Sequence, residues 1–137
     1  MGHSTSSGFV KTHRFLTRFG KVQLIEPKNM VEHRMPDEAA NPGDVYATVD
    51  ADGNPFQITV YGENREKLYD IDLGHNHGGR SEFEEGHIQR YDENGIRSND
   101  YEPLDRTAQR YVYLLRTGVE KDRERGINYG YRKRKAR

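Results

Sequence analysis

The chain has 137 residues, the length of one domain, and its 22 basic and 22 acidic side chains give a formal net charge of zero. It contains no cysteine, which excludes disulfides and thiolate metal sites and leaves His, Asp and Glu as the strong metal ligands. No apolar run approaches the roughly 20 residues that a membrane span requires, and "MGHSTSSGF" lacks the apolar segment of a secretory signal. We therefore expect a cytoplasmic protein with no membrane partner.

The charges are distributed unevenly along the chain. Residues 63–105 contain twelve acidic and five basic side chains, whereas the final "GINYGYRKRKAR" contains five basic side chains and no acid. Such a tail either binds nucleic acid through phosphate contacts or is a solvated terminus. The chain is divided here into a flexible N-terminus or cloning remnant (residues 1–8), a single domain (9–125) and a basic C-terminal tail (126–137).

Short strands are predicted for the first part of the domain. Apolar residues between positions 9 and 25 predict one or two strands, and residues 27–44, which contain three prolines, predict a loop. A β-hairpin is predicted next, because Val45–Asp50 and Phe56–Tyr61 are rich in β-formers and flank the turn sequence "ADGNP". The alternating apolar residues of the hairpin should form part of the core.

Two further strands are predicted after the hairpin. In "LYDIDL" the apolar residues alternate with Asp70 and Asp72, which predicts a strand whose acidic side chains face solvent or a site. Residues 87–91 show another strand pattern, and a reversal is predicted at Asn94-Gly95.

A helix is predicted near the end of the domain. Apolar residues at helical spacing from Leu104 onwards indicate an amphipathic helix over about residues 103–117, with Pro103 in its first turn and Gly118 at its end. Strands followed by a helix predict an α+β fold, in which an antiparallel sheet of about four to six strands carries one C-terminal amphipathic helix on one face.

Histidines are concentrated after the predicted strand "LYDIDL". His75, His77 and His87 lie within thirteen residues, and imidazole is the side chain that titrates near neutral pH and also binds transition metals. One hypothesis is therefore a site for a divalent metal such as zinc, in which His87 and Glu82 join His75 and His77. "HNHGGRSE" resembles the first half of the cupin metal motif, whose second half is not found in this chain. The alternative is a polar loop whose histidines face water.

Metal-independent cleavage of RNA is a second hypothesis for the same residues. This reaction needs a base for the 2′-hydroxyl proton, an acid for the leaving 5′-oxygen and a cation for the charged phosphorane. His75 or His77 would share the acid and base roles with His87, and Asp72 would orient an imidazole. Arg80 or Arg90 would bind the phosphate, and the tyrosines and cations of the tail would add stacking and phosphate contacts. No cofactor is required.

Two segments carry a resemblance to a known class of proteins. "LYDIDLGHNHGG", followed by "GHIQRYDENG", is similar to the C-terminal domains of polymorphic bacterial toxins and of some phage head proteins, with an Asp-x-Asp-x-x-His element, glycines and a histidine strand that ends in Tyr-Asp. The resemblance implies a compact α+β ribonuclease that needs no metal, RNA as substrate and an immunity protein as partner. The matching positions are Asp70, Asp72, His75, His77 and His87. Gln89 stands where such domains often have a further histidine.

A nonenzymatic alternative also remains open. A phage or bacterial accessory protein that binds its partner through the sheet or the acidic loop would need no special chemistry. It predicts that His75, His77 and His87 point apart, whereas a nuclease predicts that two of them converge beside a basic side chain.

Overall fold

The computed structural model describes residues 12–29, 35–73 and 85–132, which form a six-stranded sheet covered by one long helix. The elements are β1 (His13–Phe19), β2 (Val22–Pro27), β3 (Val45–Val49), β4 (Pro55–Tyr61), β5 (Lys67–Asp72), β6 (His87–Arg90) and α1 (Arg106–Glu124). The predicted α+β class is thus confirmed, and so is the hairpin, which β3 and β4 form. Within the described ranges, no helix is both long and apolar enough to cross a membrane.

The strands lie in the sheet in the order of the chain, from β1 to β6. Neighbouring strands are antiparallel except β2 and β3, which are parallel. The described sheet is thus mostly antiparallel, and the parallel pairing of β2 with β3 requires the chain between them to cross back before it enters the sheet again. As a result, β2, β3 and β5 all end at the same edge of the sheet, where β4 and β6 begin. We call this edge the carboxyl end.

One face of the sheet packs on α1 through apolar side chains. The strands present alternate residues to this face, as period-2 alternation predicts, and the helix contributes residues three or four positions apart. The buried members of this main core are Val22, Leu24, Val45, Ala47, Ile58, Val60, Tyr69, Ile71, Ile88, Ala108, Val112, Leu115 and Val119.

The helix begins later and ends later than its apolar pattern predicts. Asp105 is the N-cap, and its side chain accepts a hydrogen bond of 2.8 Å from the backbone N–H of Ala108. Gly118, the predicted end, lies inside the helix, where a Cβ would come within 2.3 Å of the Phe19 ring. The close approach of α1 to β1 therefore explains why residue 118 is a glycine, and the chain does not reverse there.

The helix ends through a Schellman motif around Gly126, whose φ is 88°. The N–H of Ile127 donates to the carbonyl of Asp122 at 2.8 Å, and the N–H of Gly126 donates to that of Arg123 at 3.0 Å. These bonds satisfy carbonyls that the last helical turn leaves open. The signal for the end of the helix was therefore the later glycine of "ERGIN".

The chain after α1 returns to the tip of the β3–β4 hairpin. The N–H of Arg132 donates to the carbonyl of Ala51 at 3.0 Å, and a Cβ on Gly130 would lie 2.2 Å from the backbone of Gly53. Tyr129 donates its hydroxyl proton to the buried carboxylate of Asp122. Packing therefore continues to Arg132, beyond the predicted start of the tail at residue 126.

The other face of the sheet has a smaller core under the predicted loop. Tyr61 donates its hydroxyl proton to the carbonyl of Pro36 at 2.6 Å, and Tyr46 donates to the carboxylate of Asp44 at 2.8 Å. These bonds fix the loop to the sheet because they satisfy the only polar atom of each buried ring. The buried members of this second core are Ile25, Met35, Ala39, Tyr46 and Tyr61.

The contact between α1 and β1 predicts that Gly118→Ala destabilises the protein. Overpacking costs about 1–3 kcal/mol, whereas replacing a helical glycine by alanine gains about 1 kcal/mol. Because the added methyl group would collide with three carbons of the Phe19 ring, we expect the upper end of the overpacking cost, about 3 kcal/mol, and therefore a net loss of about 2 kcal/mol in urea unfolding. Arg116→Ala, at an exposed position of the same helix, is the control and should change stability by less than about 0.5 kcal/mol. A Gly118→Ala variant as stable as the wild type would contradict this packing.

The second core predicts a characteristic response to alkaline pH. Burial raises the pKa of Tyr61 well above its ordinary value of about 10, so between pH 10 and 12 the unfolded chain ionises this phenol while the folded protein does not. Stability is then lost as pH rises. Tyr61→Phe should cost about 1–2 kcal/mol at pH 7 through the lost hydrogen bond. Its unfolding free energy should also fall less steeply above pH 10, by up to about 1.4 kcal/mol per pH unit. Exposed Tyr113→Phe should follow the wild-type pH curve.

Candidate functional site

A group of polar side chains lies on the second face of the sheet, across β4, β5 and β6. Thr59, Asp70 and Gln89 are cross-strand partners in one row, and Asp72 and His87 are partners in the next row. All five are buried. With the neighbouring residues that bond to them, they form what we call the polar cluster: Thr59, Asp70, Asp72, His87, Gln89, Tyr91 and Arg97.

Strand alternation explains why these side chains share one face. Tyr69 and Ile71 enter the main core, so Asp70 and Asp72 between them point to the opposite face. Their carboxylates do not face solvent, because the residues are only 1% and 8% exposed. The prediction that these acids face solvent is therefore wrong, and the alternative, that they face a site, stays a prediction.

The carboxylate of Asp70 accepts hydrogen bonds from two hydroxyl groups. Thr59 donates to Oδ1 at 2.6 Å, and Tyr91 donates to Oδ2 at 2.7 Å. The guanidinium of Arg97 lies 3.4 Å from Oδ2 and supplies the opposite charge. Burial, followed by the nearby negative charge of Asp70, raises the pKa of Tyr91 above its ordinary value, so Tyr91 remains a proton donor at neutral pH. A buried carboxylate is stable only with such compensation.

His87 lies beside Asp72 under an aromatic ring. Its Nε2 is 3.9 Å from Oδ2 of Asp72 and donates a hydrogen bond of 3.2 Å to Oε1 of Gln89. The Tyr101 ring is tilted over the imidazole, with ring centroids 4.3 Å apart. His87 is fully buried, whereas Tyr101 is 39% exposed. Tyr101 therefore covers His87 on the side of the solvent.

Gln89 joins the two carboxylates into one network. Its Oε1 accepts a hydrogen bond from Arg97 as well as the one from His87. Its Nε2 donates to the carbonyl of Ser98 at 3.0 Å, which fixes the orientation of the amide. Polar contacts thus run continuously from Asp70 through Arg97 and Gln89 to His87.

The structure brings together some of the predicted site residues and separates others. Asp72 and His87 are direct cross-strand partners, and the 3.9 Å between Asp72 Oδ2 and His87 Nε2 is an ion-pair distance and not that of a hydrogen bond. Arg90 is on the opposite face, where it pairs with Glu102 at 3.1 Å and lies over the Tyr69 ring. The remaining predicted site residues, His75, His77, Arg80 and Glu82, lie outside the described residues.

Arg97 is a cation of the polar cluster that was not among the site residues predicted from the sequence. The signal for it was present, because the predicted reversal at Asn94-Gly95 pairs Tyr91 with Arg97 across the turn. Strand alternation would also have excluded Arg90 from the face of His87, because the two residues are an odd number of positions apart on β6 and therefore point to opposite faces.

The hypothesis of a metal site concerns residues that the structure describes only in part. Within these ranges, no three His, Asp or Glu side chains are arranged to hold a metal ion. The metal set predicted from the sequence combines His87 with His75, His77 and Glu82, and those three lie outside the described ranges. That hypothesis therefore remains a prediction.

The polar cluster predicts a large loss of stability for Asp70→Asn. The substitution removes the charge that balances Arg97 and one acceptor for the two hydroxyl groups. Breaking a buried ion pair from one side costs about 3–5 kcal/mol, and because Arg97 is partly exposed we expect about 3 kcal/mol in urea unfolding. Asp100→Asn, at an exposed position, should cost less than about 0.5 kcal/mol. Equal stability of the two variants would contradict a structural role for the Asp70 carboxylate.

Comparisons with protein-family models, curated proteins and solved structures found no match to this chain. The resemblance to toxin domains therefore rests on short motifs alone. Of its matching positions, Asp70, Asp72 and His87 belong to the polar cluster, and His75 and His77 lie outside the described residues.

Proposed function

We propose that this protein is a small ribonuclease that cleaves RNA without a metal ion, with His87 as one of its acid and base groups. The observation that carries the proposal is the buried pair of Asp72 and His87, which places a carboxylate 3.9 Å from an imidazole nitrogen. A carboxylate in this position stabilises the imidazolium that forms when histidine takes a proton. The resemblance to toxin domains agrees with this function and adds an immunity protein as a proposed partner.

The reaction has two proton transfers. The 2′-oxygen of a ribose attacks the adjacent phosphorus as a base removes its proton, and the bond from phosphorus to the 5′-oxygen breaks as an acid protonates that oxygen. The products are a 2′,3′-cyclic phosphate and a free 5′-hydroxyl. His87 performs one transfer. The proposed group for the other transfer is His75 or His77, which precede His87 closely in the sequence.

Arg97 is the proposed cation for the phosphate. Its side chain is 41% exposed. Its contacts with Asp70 and Gln89 fix it on the same face as His87. A guanidinium held in this way stabilises the charge that develops on the phosphorane oxygens. Arg97 thus takes the role for which the sequence analysis considered Arg80 and Arg90.

Access to His87 depends on Tyr101. The imidazole is fully buried and the Tyr101 ring lies against it, with ring centroids 4.3 Å apart, so movement of this ring would help a ribose to reach it. Because this ring is already partly exposed, it can also stack on a base of the bound RNA. Tyr101→Ala should therefore expose His87 and weaken RNA binding.

One observation favours a second candidate function, that of a nonenzymatic binding protein. His87 is completely buried and its Nε2 bonds to Gln89, which is the environment of a histidine that stabilises a fold. In this case the polar cluster would hold β4, β5 and β6 together, and partners would bind elsewhere. The two functions make different predictions for a His87 variant that still folds: a ribonuclease would lose RNA cleavage, whereas a binding protein has no such activity to lose.

The test is cleavage of a mixed RNA by purified protein in EDTA. We expect His87→Gln to lower the rate by about 100-fold or more, in line with the typical contribution of one acid or base group, and Asp72→Asn to lower it by at least about tenfold. Arg90→Gln is the matched control, because this arginine lies on the opposite face, and its rate should stay within about twofold of wild type.

Each variant is checked for folding by circular dichroism before its rate is compared. Absence of cleavage by the wild-type protein on any RNA would refute the proposed function. A rate that falls equally in folded Arg90→Gln and folded His87→Gln would also contradict it, because His87 would then affect the rate no more than a residue on the opposite face.

A further inference from the structure

A cavity of about 230 Å³ opens at the carboxyl end of the sheet, beside the described part of the C-terminal segment. Its walls are largely apolar, and three of them are aromatic rings from two separate parts of the chain. The residues that line it are Ile25, Glu26, Pro27, Thr48, Val49, Asp50, Ala51, Phe56, Tyr129 and Tyr131.

The size of the cavity fits one planar ring system. An apolar protein cavity of about 150 Å³ holds a benzene molecule, and pockets for drug-sized ligands begin at about 300 Å³. The volume of this cavity lies between these values. It therefore has room for a single nucleobase, with the attached sugar and phosphate outside.

The aromatic walls are held in place by contacts of the C-terminal segment. Tyr129 bonds to the carboxylate of Asp122 and also contacts Phe19 edge to face, with ring centroids 6.3 Å apart. Tyr131 precedes Arg132, whose N–H donates to the carbonyl of Ala51. The cavity is thus formed before a ligand enters, which lowers the entropic cost of binding.

The polar groups of the lining are mainly hydrogen-bond acceptors. Among the lining residues, Asp50 and Glu26 carry carboxylates, of which that of Glu26 also pairs with Arg14 at 3.5 Å, and Thr48 carries a hydroxyl group. The Asp50 carboxylate is oriented by bonds from the N–H groups of Asp52 and Asn54 at 2.9 and 3.0 Å. Such a lining favours a ring that carries N–H donors and repels a phosphate. Exocyclic amino groups of adenine, cytosine and guanine are donors of this kind.

The cavity and the Asp72–His87 pair lie at the same end of the sheet. Thr48, Gln57, Asp72 and His87 form one row across β3, β4, β5 and β6. Neighbouring strands are about 4.8 Å apart, so Thr48 is about 14 Å from His87 along this row. Thr48 lines the cavity, so the distance from the cavity to His87 is one that a short RNA can span.

We propose that this cavity binds a single nucleobase with an exocyclic amino group and so positions RNA for cleavage at His87. The proposal deepens the proposed ribonuclease function and rests on it for the choice of RNA as ligand. Base binding itself needs neither His87 nor Asp72. It can therefore be measured apart from cleavage.

The experiment is a titration of ¹⁵N-labelled protein with AMP, CMP, GMP and UMP, followed by NMR. The three nucleotides with an amino group should shift the signals of Ala51 and Tyr131 and bind more tightly than UMP. Tyr131→Leu keeps the wall apolar but removes its aromatic face. It should weaken binding by about 5- to 150-fold, the range for loss of one stacking contact.

Two controls separate this proposal from the proposed function. Tyr113→Leu replaces an exposed tyrosine of α1 outside the cavity and should bind nucleotides as wild type does. His87→Gln should also bind them within about twofold of wild type while it loses cleavage. If wild-type protein binds the nucleotides but cleaves no RNA, the base site stands and the ribonuclease function fails.

The base site would be refuted by RNA cleavage without nucleotide binding at the cavity. Binding of N-acetylphenylalanine amide, but not of any nucleotide, would also refute it and would identify the cavity as a pocket for an apolar side chain of a protein partner. Equal affinity for UMP and the three amino-bearing nucleotides would refute the assigned role of the carboxylates.

Discussion

The buried carboxylate of Asp70 is the group on which the arrangement of the candidate site depends. It lies in the middle of β5, 1% exposed, and is compensated by Thr59 from β4 and by Tyr91 and Arg97 from the turn after β6. Satisfying this one charge therefore fixes three parts of the chain relative to each other. Because Arg97 in turn bonds to Gln89, the same constraint extends to the partner of His87.

The two faces of the sheet divide the tasks of stability and recognition. The face under α1 carries the larger of the two apolar cores, so it supplies the greater part of the hydrophobic stabilisation. The opposite face is covered by a proline-containing loop at one part and carries the polar cluster at another. Buried polar groups cost stability unless all are satisfied, so the apolar face is what allows the second face to hold a network of charges.

The sequence predicted local elements well because their signals are local. The hairpin of β3 and β4 followed from turn formers between two β-rich runs, and the core face of β5 followed from alternation. Features that depend on distant contacts were not predictable from the pattern. Residue 118 is a glycine because the Phe19 ring lies against it, and not because the helix ends there. The parallel pairing of β2 with β3 depends on the path of a long loop.

The same distinction holds for the candidate site. Asp72 and His87 were selected from composition, but their direct pairing depends on the register of β5 with β6, which neither segment specifies alone. Arg90 was selected because it is near in sequence, whereas Arg97 is near in space because the chain reverses after Tyr91. The choice of the arginine therefore required tertiary information.

The central claim is that His87, oriented by Asp72, transfers a proton during attack of a ribose 2′-hydroxyl on phosphorus. The measurement that tests it most directly is ³¹P NMR of a dinucleotide such as ApA incubated with the protein in EDTA. The account predicts a 2′,3′-cyclic phosphate signal for the RNA dinucleotide and no reaction for its 2′-deoxy counterpart. Cleavage of both dinucleotides, or formation of a linear phosphate with no cyclic intermediate, would contradict it.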